Sequence, residues 1–258
     1  MHPSNRRPAQ ATASSVGRPP RERHLLRMIQ LQSLAFGPFP EVEPLNRRFT
    51  PGHAKLRVTV DTEIHPSLPD QRVLERLVET FPGLGRHECR APESAPHRPG
   101  TGTPILLVED DSQANQAHLL EHLTLEILGA FDHARRLSGV TCAYVTPPER
   151  NDVFVECTEP ETGGFAAMLA VDAMNTALAD LPLAPVFPDI VRCTRILRQY
   201  VSGAWPVARL AGLAGLTVER TERALDYLTR ARLVELEDYA MNFSGERHYR
   251  FVGACEAA

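Results

Sequence analysis

Lysine is nearly missing from this chain: Lys55 stands alone against 27 arginines. No lysine sits in a G-x-x-x-x-G-K-[ST] setting, which excludes a P-loop ATPase. The five cysteines (Cys89, Cys142, Cys157, Cys193 and Cys255) are odd in number and hold no C-x-x-C pair. They read as reduced, mostly buried thiols and not as a disulfide framework. No apolar run approaches the roughly 18 residues of a membrane span. Residues near the N-terminus supply no apolar segment of the secretory kind, so a cytoplasmic protein with no membrane partner is expected. A net charge of −4 gives no global pull toward nucleic acid or anionic lipid.

What is present is the composition of a soluble globular protein, with 43% hydrophobic and 23% charged residues. Residues 1–24 are rich in Pro, Arg, Ser and Ala with almost no large apolar side chain, so a disordered tail is expected there. From Leu25 the pattern changes. MIQLQSL before FGPFP reads as a strand and turn, and Lys55 to Asp61, KLRVTVD, alternates cleanly as a strand. Asp70 to Thr80 has helical spacing, closed by Phe81-Pro82-Gly83. Ile105 to Val108 is a strand candidate running into Glu109-Asp110-Asp111. Thr141–Val145 and Asp152–Cys157 read as strands, and Gly164 to about Leu181 as a helix. The order predicts an α+β fold, a two-layer domain over 25–184 with helices on a mixed sheet.

The central helix carries the chemistry. In Ala117–Gly129, AHLLEHLTLEILG, Leu119, Leu120, Leu123 and Ile127 share one face. His118, Glu121 and His122 share the other, with Leu125 and Glu126 beside them. That core face is complete without either histidine, which leaves the polar group to face solvent or a cleft. The spacing H-x-x-E-H is the inverted zincin signature. Imidazoles at i and i+4 can share a zinc ion at about 2.0–2.1 Å, and Glu121 can take a proton from water that the ion acidifies. A shuffled chain of this composition shows the motif in roughly 3% of cases, so its surroundings must carry the argument.

PLAPVFP at 182–188 reads as a linker. Beyond it, a helix over Ile190–Val201, a short helix opened by Trp205-Pro206, a longer helix over Thr217–Arg230 and a hairpin resemble a winged helix-turn-helix module over 185–258. Arg220 and Arg223 are its candidate nucleic-acid contacts. The module's charge argues for caution: residues 189–258 hold 10 Arg against 9 Asp plus Glu, without the basic stripe that DNA phosphates require. Such modules also serve in docking and dimerisation, so a homo-oligomer is an open expectation.

Residues Leu25 to Leu181 resemble the N-terminal domain of cyanophycin synthetase. The carriers are MIQLQSL, KLRVTVD, HPSLPD, FPGLGRHEC, AHLLEHLTLEIL and DVFVECTEPETGGFAAMLA. In that family the last three read like LPxLxxHxC, GHxxEHxxLELQ and VYxVVxEYxDEExGxxAxxLA. The resemblance implies a small α+β domain that handles the Asp–Arg polymer cyanophycin, in some members as a metallopeptidase-like site that cuts polymer into primers. It implies His118 and His122 as zinc ligands and Glu121 as general base. Glu161 is the first choice for third ligand, with Glu156 and Glu126 as rivals. His87 and Cys89 also match the family, though a packed loop histidine and a buried thiol account for them equally.

Two stretches depart from the family: Glu109 to Gln116, before the signature, and AFDHARRLSG, after it. Both could line a substrate groove. The 258 residues hold neither the ATP-grasp nor the ligase module of the synthetase, so ATP-driven polymerisation is not expected. Three functions follow in order of preference. The first is a metal-dependent hydrolase of cyanophycin or another Arg-containing peptide. The second is a silent module that tethers such a polymer through Glu109, Asp110 and Asp111. The third is a regulator that binds DNA through Arg220 and Arg223.

Overall fold

The computed structural model describes residues 29–62, 70–89, 103–104, 112–131, 137–200, 203–237 and 247–252; for 70–71, 88–89, 103–104 and 112–115 it describes the backbone alone. The expected tail, the Ile105–Val108 strand, Cys255 and the acidic run Glu109-Asp110-Asp111 lie outside these residues.

Alternation in KLRVTVD produces the central strand. β2 (Lys55–Thr62) pairs with β1 (Ile29–Gly37) on one side and β6 (Arg150–Glu156) on the other. β5 (Gly139–Ala143) closes the far edge, giving the order β1-β2-β6-β5. Every pairing is antiparallel, which corrects the mixed sheet expected from the sequence. The order of elements fixes a sheet and its helices, but strand direction depends on which neighbours pair. Here β5 and β6 form a hairpin whose second strand, not its first, lies against β2.

Leu56, Val58 and Val60 on β2 and Val153 and Val155 on β6 are buried in the main core. α2 (Ser112–Phe131) lies mainly against β5 and β6, and α3 (Pro160–Leu178) against β1 and β2. Pro160 opens α3 at its first position, where a missing N–H costs nothing. The helix therefore starts four residues before the Gly164 expected from periodicity.

Outside this pair, α1 (Asp70–Thr80) packs on α3 and α2, and α4 (Val186–Gln199) packs on α2. α2 is thus enclosed from several sides. α1 runs into a 3-10 turn at Leu84–Arg86 that also reaches α2. Two-residue strands β3 (Glu88–Cys89) and β4 (Thr103–Pro104) pair beyond it.

Val186 to Pro188 form the first turn of α4, so the expected linker is shorter than its composition suggests. After α4 come β7 (Trp205–Pro206), α5 (Val207–Ala214), α6 (Val218–Arg230), β8 (Val234–Glu237) and β9 (His248–Phe251). Their strands form a sheet in the order β7-β9-β8. Gly215, at a φ of 65°, ends α5 in the left-handed region, and Thr217 caps α6 by accepting from the backbone N–H of Arg220. Hydrophobic contact does not stop at residue 184: Phe187, Ile190 and Leu197 join α2, α3 and α6 in one cluster. The Tyr227 hydroxyl donates to Asp172 across the same boundary at 2.7 Å. Among the described residues no helix is long and apolar enough to cross a membrane.

Candidate metal centre

Enclosure of α2 changes the meaning of its polar face. Sequence periodicity places His118, Glu121 and His122 opposite the leucines and leaves them to solvent or a cleft. In the structure Glu121 and His122 are only 5% and 6% exposed, and His118 is half-buried. Leucines fill one side of the helix, while β5 and the segment after α1 cover the other.

Glu121 points at the edge strand. The Thr141 hydroxyl donates to its Oε2 at 2.6 Å. Gly139, two residues earlier on β5, leaves the space that the carboxylate occupies: a Cβ there would sit 2.7 Å from Oε1. Burial with this one side-chain donor pushes the Glu121 carboxyl up to about 7, because desolvation outweighs the Thr141 bond.

His118 and His122 stand one turn apart with Nε2 atoms 3.1 Å from each other. Two imidazole nitrogens bound to one tetrahedral zinc at about 2.05 Å are separated by about 3.3 Å, so the observed spacing fits a shared cation. Burial lowers the pKa of His118, and burial together with the neighbouring rings of His118 and His87 brings His122 down to about 3. Both rings are therefore neutral near pH 7, the state in which imidazole binds a metal. His118, Glu121 and His122 each offer a ligand atom, all within 4.8 Å of one another, and this group could hold a metal ion.

The expected third ligand is not among them. Glu161 lies exposed on the first turn of α3 and is not in the group. Its rival Glu156 ends β6, where its Oε1 accepts from the Thr50 backbone N–H at 2.6 Å. Glu156 lines a cleft of about 440 Å³ with Leu128, Glu159, Thr162 and Arg198. Leu128 is six residues beyond His122, about 9 Å along the helix, so this cleft and the start of α3 flank the far end of α2. The other rival, Glu126, binds His87 instead, at 3.0 Å from His87 Nε2. Among the described residues the carboxylate grouped with the two histidines is that of Glu121.

Two further side chains contribute, Thr141, which sequence reasoning missed, and His87, which it weighed against a packed loop histidine. Thr141 gave no signal, since nothing in an alternating strand marks the residue that will face a carboxylate on another element. His87 did give one, in FPGLGRHEC: the 3-10 turn after α1 brings its Nδ1 to 3.1 Å from His122 Nδ1. Cys89 is described only in its backbone.

Arg220 is engaged within the protein. Both its Nε and its Nη2 donate to Asp189 on α4, at 2.9 and 2.6 Å, and Asp189 is buried. Arg223 stays exposed, 3.7 Å from Glu219 one turn back. An α+β protein with a buried two-histidine, one-carboxylate group on its central helix is what fold and site together define. No protein-family model matches the chain, and no curated protein does.

Proposed function

We propose that this protein is a metal-dependent, peptidase-like hydrolase, zinc being the metal and cyanophycin or another Arg-containing peptide the substrate. The observation that carries the reading is the convergence of His118 and His122 Nε2 at 3.1 Å beside the buried Glu121 carboxylate. When bound there, zinc supplies Lewis acidity, polarising a carbonyl and acidifying a water. His118 and His122 hold the ion through neutral rings. Glu121 serves as general base, and a carboxyl brought up to about 7 by burial gains and loses a proton readily near neutral pH. The Thr141 hydroxyl fixes Oε2 and leaves Oε1 for that proton. The substrate class rests on the resemblance over Leu25–Leu181, and Glu109, Asp110 and Asp111 remain its proposed guanidinium contacts.

Elemental analysis of the purified chain, with cleavage of cyanophycin before and after chelation, tests the reading. Stoichiometric zinc and cleavage lost in E121Q with metal retained support it, and a chain that binds no divalent metal overturns it. Metal-independent polymer binding without product would favour the tethering module. The order of elements from α4 to β9 supports a winged-helix-like module, but pairing of Arg220 with buried Asp189 favours a structural role over DNA contact.

A further inference from the structure

Four side chains form an unbroken line through the site. Glu126 Oε2 lies 3.0 Å from His87 Nε2, His87 Nδ1 lies 3.1 Å from His122 Nδ1, and His122 Nε2 lies 3.1 Å from His118 Nε2. The line is built, not incidental. A Cβ on Gly83 would overlap the Glu126 carboxylate, so that position leaves room for the acid to reach His87. Leu84, fully buried, anchors the 3-10 turn that ends at His87.

We infer that Glu126 and His87 are positioning residues that fix the tautomer of His122, holding its hydrogen on Nδ1 and turning the Nε2 lone pair toward His118. The logic is that of donors and acceptors. A carboxylate only accepts, so His87 carries its hydrogen on Nε2 and donates to Glu126. His87 Nδ1 is then a lone pair and accepts from His122 Nδ1–H. His122 Nε2 is left as an acceptor, filled by the Nε2–H of His118 until a cation takes that place and the His118 hydrogen shifts to its Nδ1. With the opposite assignment, His122 would carry its hydrogen on Nε2 and could not ligate through it. Outer carboxylates commonly set histidine ligands in this way; here a second imidazole is interposed, because Glu126 lies on the same helix as His122 and reaches its far nitrogen only through a residue on another element.

The consequence for metal binding rests on the proposed function, whereas the tautomer does not. Long-range ¹H–¹⁵N histidine spectra of the full chain in chelator read the ring protonation directly. His122 protonated at Nδ1 and His87 at Nε2 are expected, and His122 protonated at Nε2 overturns the inference. E126M, which removes the acceptor at similar volume, is expected to leave His122 in mixed tautomers and to weaken cobalt(II) binding, followed by visible absorption, by about 10- to 100-fold. E126Q, whose amide oxygen still accepts, restores both. An E126M spectrum and affinity equal to wild type would equally overturn it. Should E126M fail to fold, H87F is the second variant, with the same loss expected. A wild type that binds no cobalt but shows the stated tautomers removes the hydrolase and keeps the positioning line.

Discussion

Replacing Glu121 by Gln should stabilise the metal-free protein, and by an amount that depends on pH. In the unfolded chain the Glu121 carboxyl ionises at its ordinary value of 4.5; in the folded chain burial holds the proton until about pH 7. Between those values the folded state binds more protons than the unfolded one, so the stability of folding falls as pH rises. At 1.36 kcal/mol per pH unit, the interval amounts to about 3 kcal/mol lost by pH 8. At 5% exposure little solvent screening reduces that figure. Glutamine has the same shape and never ionises, and its amide oxygen still accepts from the Thr141 hydroxyl.

E121Q and wild type should therefore unfold at nearly the same urea concentration at pH 4.5. The variant should gain steadily to about 3 kcal/mol by pH 8, at constant m-value. His122 runs in the opposite sense: its folded value of about 3 lies below its ordinary 6.5, so its contribution is lost as pH falls from 6.5 toward 3. Both proteins share that loss, and subtracting one curve from the other isolates Glu121. Urea titrations in chelator at pH 4.5, 6, 7 and 8 make the measurement. A difference between the two proteins that stays constant from pH 4.5 to 8 would refute the claim that Glu121 is buried in its neutral form.

Loss of either ring should abolish tight metal binding: H118A or H122A is expected to carry far less than one equivalent of zinc by elemental analysis, and wild-type loading in either would remove those residues as ligands. G139A forces the Glu121 side chain out of its slot, with about 1–3 kcal/mol of overpacking cost in urea titrations; an unaffected midpoint would mean that β5 does not hold the carboxylate. R220A strips Asp189 of its partner and should lower the Tm clearly more than R223A does. If R220A instead keeps its Tm and loses retention on DNA at low salt, Arg220 is a nucleic-acid contact after all.

Sequence periodicity gave the central strand to within one residue, α1 as observed, and the residues that meet at the site on α2. Each of these depends on neighbours along one element. The near-complete enclosure of Glu121 and His122, where the sequence left the group to solvent or a cleft, has a different origin. A leucine face about 100° wide shows which side of a helix must be buried, but not that β5 and the turn after α1 will cover the other side too. The third-ligand choice failed likewise. Glu161 sits at a helix start that presents a carboxylate well, yet α3 begins beside Glu156 and Cys157 at the opposite end of α2. Long-range placement of this kind leaves no local trace in composition or spacing.

Burial of the polar stripe is what separates this helix from an ordinary solvated one with the same five letters. On a surface His118 and His122 would titrate near 6.5 and Glu121 near 4.5, and a pair of exposed rings would compete weakly with water for a cation. Between β5 and the His87 turn, the same desolvation keeps the rings neutral and brings the carboxyl to the operating range of a general base. The stability lost by enclosing Glu121 is then recoverable only if something positive enters beside it, since a nearby cation favours the ionised form that burial opposes. Zinc added to the wild type at pH 8 should accordingly raise its urea midpoint more than binding to E121Q raises that of the variant. Equal increments would mean that Glu121 does not feel the ion.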